Sequence, residues 1–283
     1  MTTSGLISAL DVYDGALAAH LAGLPPGPLL ARVADRAFTQ LALQRWCAAV
    51  DCADRAALDR LRMTLPGGAG VLDLGCGPGR HAAYLHNAGL CVLGVDTSAP
   101  AVALTRRAGA AALLADALGP LPRPAAGWDG VLLLDGNVGI GGDPHRLLFQ
   151  VVDLLAPGGR LLVELDPDGV TDCHWLQLSN GERLSTPFRW ARLAAADLEG
   201  AAAGLGLGFT DVWTQDGRQF ALMTRSRDSA PGLSAAAKCA IGTSRPVGSE
   251  GQSFAGAAEP RARSAAPPCS RARCRLMRTS RAA

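Results

Sequence analysis

The segment that most restricts the fold is Val71-Leu72-Asp73-Leu74-Gly75-Cys76-Gly77-Pro78-Gly79-Arg80. A short apolar run is closed by three glycines in five residues and passes directly into Arg80–Ala88, which has helical spacing and ends at Gly89. A strand feeding a helix through such a loop is the opening unit of a parallel α/β sheet. The glycines let the backbone turn sharply and let a ligand approach without a Cβ in its path. The helix start behind them favours a carboxylate or phosphate.

The same alternation continues down the chain. Cys91-Val92-Leu93-Gly94-Val95 reads as a second buried strand ending at Asp96, and Ser98 can cap a helix running to Ala108. Ala112-Leu113-Leu114 is a third strand, Gly130–Leu134 a fourth, and Arg160–Leu165 a fifth, entered from helix Pro144–Leu155 through the turn Pro157-Gly158-Gly159. A helix near Ala194–Leu205 precedes two strand-like runs, Phe209–Thr214 and Gln219–Thr224, joined by the hairpin signal Asp216-Gly217. The pattern predicts a doubly wound α/β fold: a mostly parallel seven-stranded sheet with one antiparallel terminal strand.

Two regions flank this core. Residues 1–62 read as an N-terminal helical cap, with Leu6-Ile7-Leu10 and Leu41-Leu43-Trp46 at helical spacing and Asp51–Arg62 as a surface helix. Leu24-Pro25-Pro26-Gly27-Pro28 breaks them. Residues 63–226 form the core domain. Residues 227–283 are rich in Arg, Ala, Ser and Pro, without periodicity, and read as a disordered tail.

Charge and cysteine content exclude several function classes. The net charge is only +2, although the chain from Ser226 onward carries ten basic against three acidic residues. Lys238 is the sole lysine, so the arginines reflect composition rather than a designed phosphate surface, and a nucleic-acid partner is not expected. The eight cysteines form no C-x-x-C pair and read as reduced thiols, with no metal site expected. Asp11 and Asp14 interrupt the first apolar stretch, so no signal peptide is expected, and with no uncharged apolar stretch of about 18 residues no membrane span is expected either; the expected location is cytoplasmic.

The glycine loop distinguishes among cofactors. A dinucleotide fingerprint wants glycine or alanine at its sixth position, where Arg80 stands, and a triphosphate loop wants G-K-[ST], which is absent. An acid two residues before G-x-G-x-G, flanked by Val71-Leu72, resembles motif I of the class I S-adenosylmethionine (SAM)-dependent methyltransferases. Four further features follow in that family's order. Asp96 ends the second strand, 23 residues after Asp73. Asp116 follows the third, Trp128-Asp129 opens the fourth, and Leu155-Ala156-Pro157-Gly158-Gly159 precedes the fifth. The resemblance covers residues 69–166 well and continues loosely to about 225.

This resemblance implies a SAM site built from Asp73, Gly75, Cys76, Gly77, Gly79, Arg80, Asp96, Thr97, Asp116, Ala117 and Leu134. Asp73 would lie near the methionine ammonium, Asp96 would accept from the ribose hydroxyls, and Asp116 would accept from the adenine amine. It implies a methyltransferase acting on an acceptor expected to be a small molecule. A SAM-binding regulator without transfer activity keeps the same loop, and a nicotinamide-dependent oxidoreductase is the more distant alternative.

Catalytic residues are not fixed by this motif, because the cofactor supplies the reactive methyl group and a general base is needed only for some acceptors. Asp135 and Asn137, at the end of the fourth strand, and His174, expected in a loop after the fifth, are the candidates. The segment at Asp135–Gly142 is neither the N-P-P-Y type of adenine-N6 enzymes nor the Pro-Cys type of cytosine-C5 enzymes.

Overall fold

The computed structural model describes residues 7–34 and 36–228. The expected tail lies outside the described residues apart from Arg227 and Asp228.

The core strands are β3 (Gly70–Leu74), β4 (Cys91–Asp96), β5 (Ala111–Leu114), β6 (Trp128–Leu133), β7 (Leu155–Leu165), β10 (Leu207–Gln215) and β11 (Arg218–Arg225), with β1 (Leu30–Val33), β2 (Thr39–Gln40), β8 (Asp172–Ser179) and β9 (Phe188–Arg192) outside this sheet. They form one seven-stranded sheet in the order β10-β11-β7-β6-β3-β4-β5. Strands β7, β6, β3, β4 and β5 run parallel, and β11 runs antiparallel to both β7 and β10. The last strand among the described residues is therefore the reversed one, as expected, but it lies inside the sheet with β10 at its edge. The Pro157-Gly158-Gly159 turn is absorbed into an irregular start of β7 opposite Trp128 and Gly130.

Helices cover both faces. α3 (Cys52–Met63) and α4 (Arg80–Asn87) bury Leu58, Leu61 and Leu85 against Val71, Val92 and Phe220. α6 (Pro144–Leu154) and α7 (Ala195–Ala201) bury Leu147, Val151 and Leu198 against Leu72, Val131 and Val163. Local caps explain the helix starts. Ser98 accepts the Ala101 N–H at 3.1 Å ahead of α5 (Ala99–Arg107), and Asp143 accepts the Arg146 N–H at 3.0 Å ahead of Pro144.

The N-terminal region departs from the all-helical expectation. It holds α1 (Ala9–Leu21), α2 (Leu43–Cys47) and α3, but also β1 (Leu30–Val33) and the two-residue β2 (Thr39–Gln40). These strands join β8 (Asp172–Ser179) and β9 (Phe188–Arg192) in a second, antiparallel sheet of order β2-β1-β8-β9. Two corrections follow. Residues 30–33 and 39–40 are sheet because their hydrogen-bond partners lie up to 149 residues away, as in Leu30 opposite Ser179. The expected loop carrying His174 is a strand. The expected surface helix is α3, which leaves Arg55 and Arg62 exposed and buries Ala53, Asp54, Ala57, Leu58 and Leu61 on the sheet. The second sheet is tied to the core by α1, whose Val12, Ala16 and Leu17 pack with Leu29, Leu104 and Leu178.

Candidate functional site

A cavity of about 680 Å³ opens over the carboxyl ends of β3, β4, β5 and β6. Its floor is the glycine loop. Gly75 adopts φ +72°, and a Cβ there would lie 2.6 Å from Asn137 Nδ2, so only glycine fits. The Asn137 amide donates to the carbonyls of Leu74 and Gly75 at 2.9 and 2.8 Å, clamping the loop to the end of β6. Gly79 adopts φ +89° as the residue ahead of α4, and a Cβ there would overlap Thr105 at 2.5–2.7 Å. Its role is helix packing, since it does not line the cavity.

Asp96 stands at the end of β4 with Thr97 on the cavity wall. Its Oδ2 accepts the Gly77 N–H at 2.9 Å and its Oδ1 the Ser98 N–H at 2.8 Å. Burial pushes its carboxyl above the usual range, and those two backbone hydrogen bonds act against that shift. Asp116, Ala117 and Leu118 continue the wall from β5, with the Leu118 N–H donating to Asp116 Oδ1 at 2.8 Å. Asp73 lies beneath the loop rather than on the wall, at 1% exposure, and its Oδ2 is buried without a hydrogen-bond partner. Desolvation pushes its carboxyl up to about 6. Leu134 is core, in contact with the buried residues of α3 and α4.

A charge network borders the cavity. Arg80 Nη1 and Nη2 donate to the two oxygens of Asp54 at 2.7 and 3.2 Å, and Nη2 also reaches Asp135 at 2.8 Å. Arg45 holds the same Asp135 oxygen at 2.7 Å. Arg218, from the reversed strand, bridges Asp54 at 2.6 Å and Glu164 through two bonds of 2.7 Å. The Asp135 N–H in turn donates to Glu164 at 2.7 Å, in a backbone at φ +55°. Asp54 is fully buried. Burial acts to raise its carboxyl, but the hydrogen bond and charge of His81, then Arg218 and Arg80, outweigh it and hold it well below the usual range. The network joins α2, α3 and α4 to the ends of β6 and β7, so its members are buried charges with matched partners.

The opposite wall is apolar. The register of the second sheet pairs Leu176 with Phe188 and His174 with Trp190. Leu176, Leu178, Phe188 and Trp190 line the cavity, while His174 lies further along, 3.4 Å from Asp172, and does not. From the N-terminal region, Leu10, Tyr13, Leu41 and Trp46 complete the enclosure. A Cβ on Gly77 would sit 3.3 Å from the Tyr13 hydroxyl, which therefore hangs directly over the loop. Burial first, then the charge of Asp96, keeps that phenol well above its usual range and protonated.

Of the expected site residues, the structure gathers Gly75, Cys76, Gly77, Arg80, Asp96, Thr97, Asp116, Ala117, Asp135 and Asn137 at one cavity, and places Asp73, Gly79, Leu134 and His174 off its wall. Asp135 and Asn137 are committed to arginines and to the loop. Sequence reasoning missed Tyr13, Arg45, Asp54, Glu164, Arg218 and the wall of β8 and β9. Only Asp54 had a local signal, the Asp51-x-x-Asp54 capping box at the start of α3.

A glycine loop between the first core strand and helix, acids at the next two strand ends, and a reversed final strand define a cofactor-binding α/β domain of the class I methyltransferase type. Residues 71–159 match the model of a methyltransferase-domain family. Among solved structures, the chain is similar to a SAM-dependent methyltransferase from Bacteroides fragilis in complex with S-adenosylhomocysteine. The identity is 21% and the TM-score 0.62, over 80% of this chain and 100% of that one. It is also similar to the CcbJ methyltransferase from Streptomyces caelestis, at 18% identity and TM-score 0.53, over 76% of this chain and 98% of that one. These likenesses establish the shared fold. No curated protein matches the chain.

The residues around the loop fit SAM. The buried Asp73 carboxyl beneath the loop, one oxygen without a hydrogen-bond partner, favours a cationic amino group above it, and the left-handed glycines keep the loop free of side chains where a ligand crosses it. Among the described residues, no cluster of His, Cys, Asp or Glu could hold a metal ion, and no helix is long and apolar enough to cross a membrane.

Proposed function

We propose that the methyltransferase domain, residues 63–226, acts on a small molecule enclosed beneath α1, α2, the Leu29 and Leu41 segments and the β8–β9 hairpin. Asp96 holds the ribose hydroxyls, Asp116 and Ala117 the adenine, and the Gly75–Gly77 loop, above Asp73, the methionine end. The bound SAM supplies an activated methyl group, and the chain's task is to orient the acceptor and exclude water. The observation that carries this reading is the continuity of one cavity from the loop and the two strand-end acids to the apolar wall. Sites for small ligands run to about 300–1,000 Å³, so 680 Å³ has room for the cofactor with a compact acceptor.

Incubating the full chain with SAM and fractionated metabolites, and reading S-adenosylhomocysteine by mass spectrometry, tests the proposal. Product above the buffer control with a low-mass fraction, lost in Asp96→Ala, supports it. SAM binding with no turnover in any fraction would assign the chain to regulatory SAM binding instead.

A further inference from the structure

We propose that the acceptor is an uncharged, ring-bearing amine, methylated on nitrogen, with no side chain of the cavity acting as base. The inference rests on the methyltransferase reading above and deepens it. Three properties of the wall support it.

The first is the placement of the wall's carboxylates. On the reading above Asp96 and Asp116 serve the ribose and the adenine, and Asp135 is held by Arg45 and Arg80. Burial keeps the Tyr13 phenol and the Cys76 thiol, both at the wall, protonated, and His174 is not at the wall. Among the described residues, therefore, no uncommitted base faces the acceptor end. A hydroxyl acceptor needs such a base, whereas a neutral amine brings its own lone pair.

The second property is the placement of the cations. Arg80 is bound by Asp54 and Asp135, and the guanidinium of Arg189 lies over Trp175, 5.4 Å from its ring centroid, with Trp175 off the wall. An anionic acceptor would be desolvated there without a partner.

The third is the concentration of aromatic rings. Tyr13, Trp46, Phe188 and Trp190 line one cavity in a chain with only six Phe, five Trp and two Tyr, and Phe188 meets Trp190 edge to face at 6.2 Å. Such faces attract a desolvated ammonium. The chemistry closes on these terms. The nitrogen lone pair forms the N–CH₃ bond as the methyl–sulfur bond breaks, and sulfur keeps that electron pair. The nitrogen is then an ammonium facing the rings, and it releases its extra proton to water.

The test uses matched ring compounds: anilines and benzylamines, the corresponding phenols and benzyl alcohols, and the corresponding benzoates. Binding in the presence of S-adenosylhomocysteine is read by quenching of intrinsic tryptophan fluorescence, and transfer by mass spectrometry. Amines are expected to bind and to be methylated with kcat/KM at least about tenfold above the hydroxyl compounds, a difference of about 1.4 kcal/mol. The acidic limb of kcat/KM should move with the pKa of each amine. Phe188→Leu removes a ring on which the acceptor ring packs and should weaken amine binding about fivefold or more while leaving S-adenosylhomocysteine affinity unchanged. Equal or faster methylation of the hydroxyl compounds or benzoates would overturn the proposal. A limb fixed at one pH across all amines, or unchanged amine binding in Phe188→Leu, would do the same. No transfer to any set while S-adenosylhomocysteine still binds overturns the amine assignment alone. Failure to bind S-adenosylhomocysteine overturns the cofactor reading beneath it.

Discussion

Replacing Asp73 by Asn isolates the cost of the charge stored under the glycine loop. Asp73 is 1% exposed, one of its oxygens has no partner, and desolvation lifts its carboxyl from 3.8 to about 6. A shift of that size corresponds to about 3 kcal/mol. The sign follows from linkage. The folded state binds the proton more tightly, so the favourable contribution is complete below the ordinary pKa and is lost as pH rises through about 6. At pH 8 the cofactor-free protein bears the whole cost, and at pH 5 about half of it. Asn carries no charge, and any cost of its unpaired amide is the same at both pH values. The stability difference between Asp73→Asn and the unsubstituted protein should therefore shift in favour of Asn by about 1.5 kcal/mol from pH 5 to pH 8. Urea denaturation followed by tryptophan fluorescence at the two pH values measures this double difference. A value within about 0.5 kcal/mol of zero, the scatter of independent sites, would refute the claim that Asp73 is an unpaired buried acid. The same substitution should weaken SAM binding at pH 8, because the cofactor's ammonium loses its counter-charge.

Three further outcomes follow from the geometry. Asp54→Asn leaves Arg80 and Arg218 short of a charged partner in a buried network and should cost about 3–5 kcal/mol, read as a fall in Tm; a change under about 1 kcal/mol would show the network to be dispensable. Gly79→Ala combines φ +89° with overlap on Thr105 and should destabilise by at least about 1 kcal/mol; denaturation of the variant checks it. Tyr13→Phe keeps the ring but removes the hydroxyl over the loop, so it should change kcat or KM for methyl transfer while the denaturation midpoint shifts by less than about 0.5 kcal/mol.

The core sheet was legible because its signals are local. Val71–Leu74, Cys91–Val95 and Gly130–Leu134 are buried parallel strands, which appear as apolar runs, and the glycines at 75, 77 and 79 are demanded by left-handed backbone within a few residues. The second sheet was not legible. β1 has four residues and β2 two, and β8 mixes His, Trp, Leu and Gln without clean alternation. Their stability comes from pairing across the chain, which no window of sequence contains. Site residues divide the same way. Asp96 and Asp116 were found from strand ends, whereas Arg45 and Arg218 reach Asp135 and Asp54 from 90 and 164 residues away. Asp135 and Asn137 were correctly placed at a strand end, but only the structure shows that an arginine pair and the loop carbonyls occupy them.

Calorimetric titration of S-adenosylhomocysteine into the full chain and into Asp96→Ala tests the central claim most directly. One molecule should bind per chain with micromolar affinity, the range usual for metabolite sites. Asp96→Ala should bind about 10- to 100-fold more weakly, the loss expected for hydrogen bonds to a charged group. A folded chain that takes up no S-adenosylhomocysteine, or an Asp96→Ala variant that binds it as well as the unsubstituted protein, would contradict the assignment of this cavity to the cofactor.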